Sequence, residues 1–178
     1  MDHAVGKLPQ AVRIGGMSKA ELLCALDRKG IQLNRIARDL FAHPSFWTST
    51  ACSTIEITHI SVAELGYELG APLERVFARA ASHGLELCPL ELAAHLRIAF
   101  TDQVEGLIGC PPSNNRAPPG SLTVAARSLA NDEEMPMGFY LRCMSGVLWL
   151  RGYRSPPEHV WNATDRFVFR RAGVATRQ

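Results

Sequence analysis

Hydrophobic residues recur at two periods along this chain, one helical and one alternating, and the switch between them predicts its elements. In "SKAELLCALDRKG" the residues Leu22, Leu23, Ala25 and Leu26 make an apolar stripe. Ser18 followed by Glu21 is a capping box and Gly30 a stop, which predicts a helix over 18–29. Leu33, Ile36, Ala37, Leu40 and Phe41 repeat the spacing and predict a second helix over 32–42. The two are expected to form a helical hairpin within 17–43. Proline, serine and threonine in "HPSFWTSTACS" then end the helical period.

Strands dominate beyond residue 54. Ile55, Ile57 and Ile60 sit among polar residues and predict a half-buried strand, and Ser61 with Glu64 signals a capped turn. Pro72 and Gly84 bracket an amphipathic helix with Leu73, Val76, Phe77 and Ala80 on one face and Arg75, Arg79 and His83 on the other. "LELAAH" reads as one helical turn, and "LRIAF", "SLTVAARSL" and "RFVFR" as strands. Residues 102–120, with four prolines, form the longest irregular stretch, and 130–138 an acidic loop. Residues 1–16 read as a loose leader, 172–178 as a frayed tail, and 17–171 as one domain whose sheet-rich part is 54–171. A helix-rich start followed by short strands predicts an α+β fold, with a mostly antiparallel sheet and one amphipathic helix packed on it.

The alternation is sharpest in "FYLRCMSGVLWLRGY", residues 139–153. A two-residue turn at Ser145-Gly146 pairs Met144 with Val147, Cys143 with Leu148, Arg142 with Trp149, Leu141 with Leu150, Tyr140 with Arg151 and Phe139 with Gly152. One face then holds Phe139, Leu141, Cys143, Leu148, Leu150 and Gly152, all without charge. The other holds Tyr140, Arg142, Met144, Val147, Trp149, Arg151 and Tyr153. Two readings of this second face stay open. Arginine stacked on an aromatic ring can simply finish a sheet surface or lie beneath a helix. Alternatively the face recognises a partner, because arginine, tryptophan and tyrosine dominate binding hot spots; Arg154, Trp161 and Arg170 would extend it.

Charge and cysteine usage narrow the class. A formal net charge of +2 does not by itself imply a nucleic-acid partner, but from residue 139 onward seven arginines face only Glu158 and Asp165. Five cysteines without a C-x-x-C pair read as reduced thiols in a cytoplasmic protein. No apolar run approaches the roughly 20 residues of a membrane span, and the first sixteen residues lack the apolar stretch of a secretory signal.

Several catalytic signatures are missing. The sequence contains no glycine-rich loop ending in Lys-Ser or Lys-Thr, no G-x-G-x-x-G after a strand, no G-x-S-x-G and no H-E-x-x-H. Six histidines are scattered without zinc-ligand spacing, and "DEE" at 132–134 lacks the spacing of a calcium loop, so no metal or cofactor is expected. The densest polar cluster is "ELCPLELAAHLR". Cys88, Glu91, His95 and Arg97 could support nucleophilic chemistry, or Cys88 could be a buried small hydrophobe beside a surface Glu91–His95 pair.

The segments "MSKAELLCALDRKGIQLNRIARDLF", "GLELCPLELAAHLRIAF" and "GFYLRCMSGVLWLRGYRSPPEHVWNATDRFVF" together resemble a family of small uncharacterised bacterial proteins, over most of residues 17–170. Some members of that family carry a helicase label, which the missing nucleotide-binding lysine loop and the length do not support. The resemblance carries no catalytic or binding residue over.

The sequence is thus expected to specify a soluble, cytoplasmic binding or regulatory domain, leaning away from an enzyme. Its expected partner is a protein or an anionic small ligand, held by Tyr140, Arg142, Trp149, Arg151, Tyr153, Arg154 and Trp161. A nucleic-acid-binding module using the basic C-terminal strands is the alternative, and an enzyme site at Cys88, Glu91, His95 and Arg97 the weaker one. Partner identity and oligomeric state lie beyond what these patterns carry.

Overall fold

The computed structural model describes residues 6–106, 117–129 and 136–172. Its first half contains β1 (Ala11–Ile14), α1 (Lys19–Arg28), β2 (Gln32–Leu33), α2 (Arg35–Ala42), β3 (Ser53–Ser61), β4 (Ala71–Pro72), α3 (Leu73–Ser82) and β5 (Leu85–Glu86). There follow α4 (Leu92–Ala99), β6 (Leu122–Val124), β7 (Gly138–Met144), β8 (Val147–Tyr153), β9 (Val160–Trp161) and β10 (Arg166–Arg171). The fold is α+β. One sheet runs in the order β1-β3-β10-β6-β7-β8-β2 with β5 also on β10, and β4 pairs with β9 separately. This sheet is mixed, because β10–β6 and β2–β8 are parallel ladders.

Local chemistry sets several boundaries as read from the sequence. Ser18 and Glu21 form the reciprocal capping box of α1, and Gly30 takes φ 67° just beyond its end. Ser61 and Glu64 exchange the same kind of bonds at the turn after β3.

Other boundaries differ from expectation. Residues 11–14, expected within a loose leader, form β1 and pair with β3; residues 1–5 lie outside the described set. The helix expected over 32–42 starts at Arg35. Gln32 and Leu33 instead bridge to Trp149 and Leu150, so a strand interrupts the expected helical hairpin. Of its two helices, α1 packs on α4, and α2 packs on β8. "LRIAF" is not a strand. Its first four residues belong to α4, whose Leu92, Ala93, Ala94 and Leu96 are all buried, and Phe100 is the residue just past the helix end. A helix buried on every side has no polar face, and so no amphipathic period to read. Only Leu122–Val124 of "SLTVAARSL" is a strand. The acidic stretch 130–135, residues 107–116 and the tail from 173 lie outside the described residues.

Strands at the centre of the sheet are buried on both faces. Val168 of β10 joins a core with Leu22 and Leu26 of α1, Leu40 and Phe41 of α2, and Leu92 and Leu96 of α4. Its neighbours Phe167 and Phe169 point the other way and meet Val76 and Ala80 of α3 in a second core. Three helices therefore cover one side, and α3 packs on the other against β4 and β5. Phe77 of α3 also stands edge-on to Phe167 and Phe169.

Asn34 joins α2 to the sheet. Its Oδ1 accepts from the Ala37 and Gly152 N–H groups, and its Nδ2 donates to the Gly152 carbonyl, each at 2.9 Å. The same side chain thus caps α2 and prolongs the β2–β8 ladder. Gly152 makes this approach possible, since a Cβ there would stand 2.7 Å from the Ala37 nitrogen and the Ile36 carbonyl carbon. Both atoms are backbone and cannot rotate away. Gly152→Ala should therefore destabilise the fold by about 1–3 kcal/mol, the usual range for overpacking, seen as a fall of several degrees in Tm by thermal denaturation.

Candidate functional site

The turn between β7 and β8 decides which side chains can act together. Ser145 and Gly146 both have positive φ, 52° and 71°, the pattern of a type I′ hairpin whose twist matches its strands. The Glu105 carboxylate accepts from both turn N–H groups, at 2.6 and 3.2 Å. The resulting register is the one read from the alternation, with Tyr140 opposite Arg151, Arg142 opposite Trp149 and Cys143 opposite Leu148. Phe139, Leu141, Cys143, Leu150 and Gly152 are buried against the helices. Tyr140, Arg142, Trp149, Arg151 and Tyr153 project from the opposite side and are half-buried.

The stacking within this face differs from the cross-strand pairs expected. The Arg151 guanidinium lies 5.1 Å from the Trp149 ring centroid, along its own strand. Trp149 is therefore not reserved for Arg142. Nε of Arg142, Nε of Arg151 and Nε1 of Trp149 are buried without a hydrogen-bond partner. Among the described residues no carboxylate forms an ion pair with Arg142 or Arg151. By contrast Arg166 pairs with Glu64 and Arg170 with Glu86, which neutralises two of the three arginines of β10.

At its base the face opens into a cavity of about 190 Å³. Thr123 of β6, Tyr140 of β7 and Tyr153 at the end of β8 line it together with His159, Trp161 and Arg154. The rings are contiguous: Tyr140 is 6.4 Å from Tyr153, Tyr153 is 5.6 Å from Trp161, and His159 is 5.2 Å from Trp161. Burial holds the Tyr153 phenol above its ordinary pKa and His159 below its own, so both are neutral near pH 7. The sequence reading had Trp161 and Arg154 as candidates but missed Thr123 and His159. Their signal was absent, because they come from segments that only the sheet order brings together.

The polar cluster "ELCPLELAAHLR" is taken apart by the fold. Glu91 and His95 do pair, with His95 Nε2 3.8 Å from the Glu91 carboxylate, but not at the surface as expected, being only 2% and 8% exposed. Glu91 accepts the Ser49 N–H at 3.1 and 3.2 Å, and His95 Nε2 accepts the Gly15 N–H at 3.3 Å. They pin two loops to α4. Arg97 is fully buried, stacks on Phe100, and donates to Gln103 and the Phe100 carbonyl; burial lowers its pKa to about 10. The Cys88 thiol faces the Val168 carbonyl at 3.6 Å, and burial pushes its pKa up to about 12. That is the opposite of an activated thiolate. Cys88 and Glu91 do border a groove of about 440 Å³ with Arg127 and Trp47, the latter 70% exposed and unforeseen from sequence; His95 and Arg97 are not among its lining residues.

Among the described residues, no group of three or more His, Cys, Asp or Glu could hold a metal ion, and no helix is long and apolar enough to cross a membrane. No protein-family model, curated protein or solved structure matches the chain.

Two outcomes are expected from the buried groups. A thiol reagent at neutral pH should modify the exposed Cys24 and Cys52 in the folded protein and reach Cys88 only on unfolding, as peptide mass spectrometry would record. The second concerns pH. Burial depresses the pKa of His95 below its ordinary 6.5, so its neutral form stabilises the fold above that value and the contribution is lost as pH falls towards the folded pKa. Glu91, raised by burial, acts in the other sense: its contribution is present below the ordinary 4.5 and lost as pH rises through the raised pKa. Tm should thus fall on acidification through the histidine range. His95→Gln, which keeps an acceptor for Gly15 but cannot titrate, should make that fall shallower. His159, also lowered by burial, contributes to the slope in the same sense.

Proposed function

We propose that this chain is a binding or regulatory domain that recognises a protein or an anionic ligand through the arginine and aromatic face of the β7–β8 hairpin. The observation that carries the reading is the juxtaposition of Tyr140, Arg142, Trp149, Arg151 and Tyr153 on one side of one hairpin, with no ion pair to Arg142 or Arg151 among the described residues. A guanidinium on an aromatic ring is worth about 0.5–1 kcal/mol when exposed and about 2 when desolvated, so a partner that removes water from the Arg151–Trp149 stack strengthens it. The sequence from Pro136 to Pro157 contains three arginines and no acid, which favours an anionic partner. Arg154 and Trp161 extend the surface into the cavity at its base.

A nucleic-acid reading is better supported on this hairpin than on β10, whose Arg166 and Arg170 already have acidic partners. We place the domain in a reducing, cytoplasmic setting, supported by the unpaired thiols of Cys24, Cys52, Cys88 and Cys143. Membership of the family of small bacterial proteins resembled by its sequence remains part of the same proposal.

The test is a comparison of immobilised wild-type protein with the triple variant Arg142→Ala, Trp149→Ala, Arg151→Ala, checked for native circular dichroism. Proteins and small anions retained from a cell extract by the wild type should be lost by the variant. An identical retained set on both would overturn the reading.

A further inference from the structure

We propose that the partner of the β7–β8 face is an acidic amphipathic helix of another protein, whose carboxylates, one helical turn apart, meet Arg142 and Arg151. This rests on the reading of the arginine and aromatic face as a binding surface, and adds the shape and charge of what covers it.

The face is one helix wide. β7 and β8 have seven residues each, so their outer side is about 24 Å long and about 10 Å across. An α-helix is about 10 Å in diameter, and about 15 residues cover that length. The rest of the sheet is already layered in this way. Helices α1, α2 and α4 pack on the core side, while α3 covers Phe167 and Phe169 of β10 on the side from which the arginines project. The hairpin continues that side beyond β6, and α3 packs on β4 and β5.

The charges have a helical spacing. Arg142 faces Trp149, and Arg151 is two residues further along β8, so the two arginines are diagonal neighbours about 7–8 Å apart. Carboxylates at i and i+4 of a helix stand about 6 Å apart along its axis, within reach of both guanidinium groups. Neither arginine forms an ion pair among the described residues, and Glu105 at the hairpin tip is engaged by the turn N–H groups. Met144 and the exposed Val147 give the turn end of the face an apolar contact.

The same geometry disfavours other occupants. The backbone groups of the hairpin are spent on ladders with each other, with β6 and with β2. An extended segment laid across the face would therefore bury its own N–H and C=O groups unpaired, whereas a helix satisfies them internally. A nucleic-acid single strand needs free ring faces to stack on, and Arg151 already lies over Trp149. A guanidinium stacked on a ring still presents N–H groups around its edge, where a carboxylate binds.

The test is a displayed library of helix-forming peptides of about 16 residues, randomised along one face. It is selected on the immobilised protein and counter-selected on the double variant Arg142→Gln, Arg151→Gln, which keeps most of each stem, lacks the charge, and is checked for native circular dichroism. Enriched peptides are expected to carry Asp or Glu at two positions three or four apart and to gain helicity on binding. By fluorescence anisotropy they should bind the double variant about tenfold or more weakly, and the wild type less tightly as salt is raised. Val147→Asp, at an exposed position, sets an acid against the incoming helix and should weaken binding too. No peptide that separates wild type from the folded double variant, or enrichment of basic or extended proline-containing peptides, would overturn the inference. So would displacement of the peptide by a single-stranded oligonucleotide of about ten residues at a lower concentration than by the unlabelled peptide, which would give the face to nucleic acid. If no acidic helix is enriched while the triple hairpin variant still loses its retained partners, this inference falls and the broader reading survives. Should the enriched peptides bind the triple variant undiminished, both are overturned.

Discussion

The approach of α2 to β8 at Gly152 is the constraint on which the rest of the structure depends. Three hydrogen bonds from one amide, Asn34, hold a helix start and a strand backbone that are 118 residues apart in sequence. Because Gly152 lacks a Cβ, α2 can lie directly on the strand and bury Leu40 and Phe41 against Phe139. That contact fixes which side of the hairpin is core. The alternation of a strand then leaves the second set of side chains, the arginines and aromatics, on the other side.

The face left over is graded. Across adjacent strands, Ile60 of β3, Phe167 of β10, Thr123 of β6, Tyr140 of β7 and Arg151 of β8 are successive ladder partners. Phe167 lies in the core under α3, Thr123 floors the cavity, and Tyr140 and Arg151 emerge towards solvent. Polarity rises one strand at a time. The candidate site sits where the cover provided by α3 gives way to the open hairpin. Its aromatic rings continue the second core through Trp161, which touches Phe167 at a centroid distance of 4.8 Å.

What the sequence made legible follows from the range of the interactions involved. The hairpin register was readable because Ser145-Gly146 and seven alternating positions on each strand carry it locally. The cap of α1 was readable for the same reason, with Ser18 and Glu21 three residues apart. β1 was not: its four residues form a strand only by pairing with Ser53–Glu56. α4 was misread in part because its polar members, His95 and Arg97, point inward to backbone groups and to Gln103 rather than to water. Polar residues four apart on a short helix suggest a surface pair, and only the positions of Gly15 and Ser49 make the interior the better place for Glu91 and His95. The cavity was half legible. Tyr140, Tyr153 and Trp161 stood out by residue type, while Thr123 and His159 acquired a role only from the order of the strands.

That order has a consequence for how the molecule comes into being. β10 follows every other strand in sequence, yet it lies between β3 and β6 near the middle of the sheet. Emerging from a ribosome at about 5–20 residues per second, the β1–β3 ribbon and the β6–β7–β8 unit cannot join until residues 166–171 appear and insert between them. Until then the nascent chain presents two open seams and an unfilled slot for Phe167 and Phe169. A chaperone, or a second nascent copy, would find its template there.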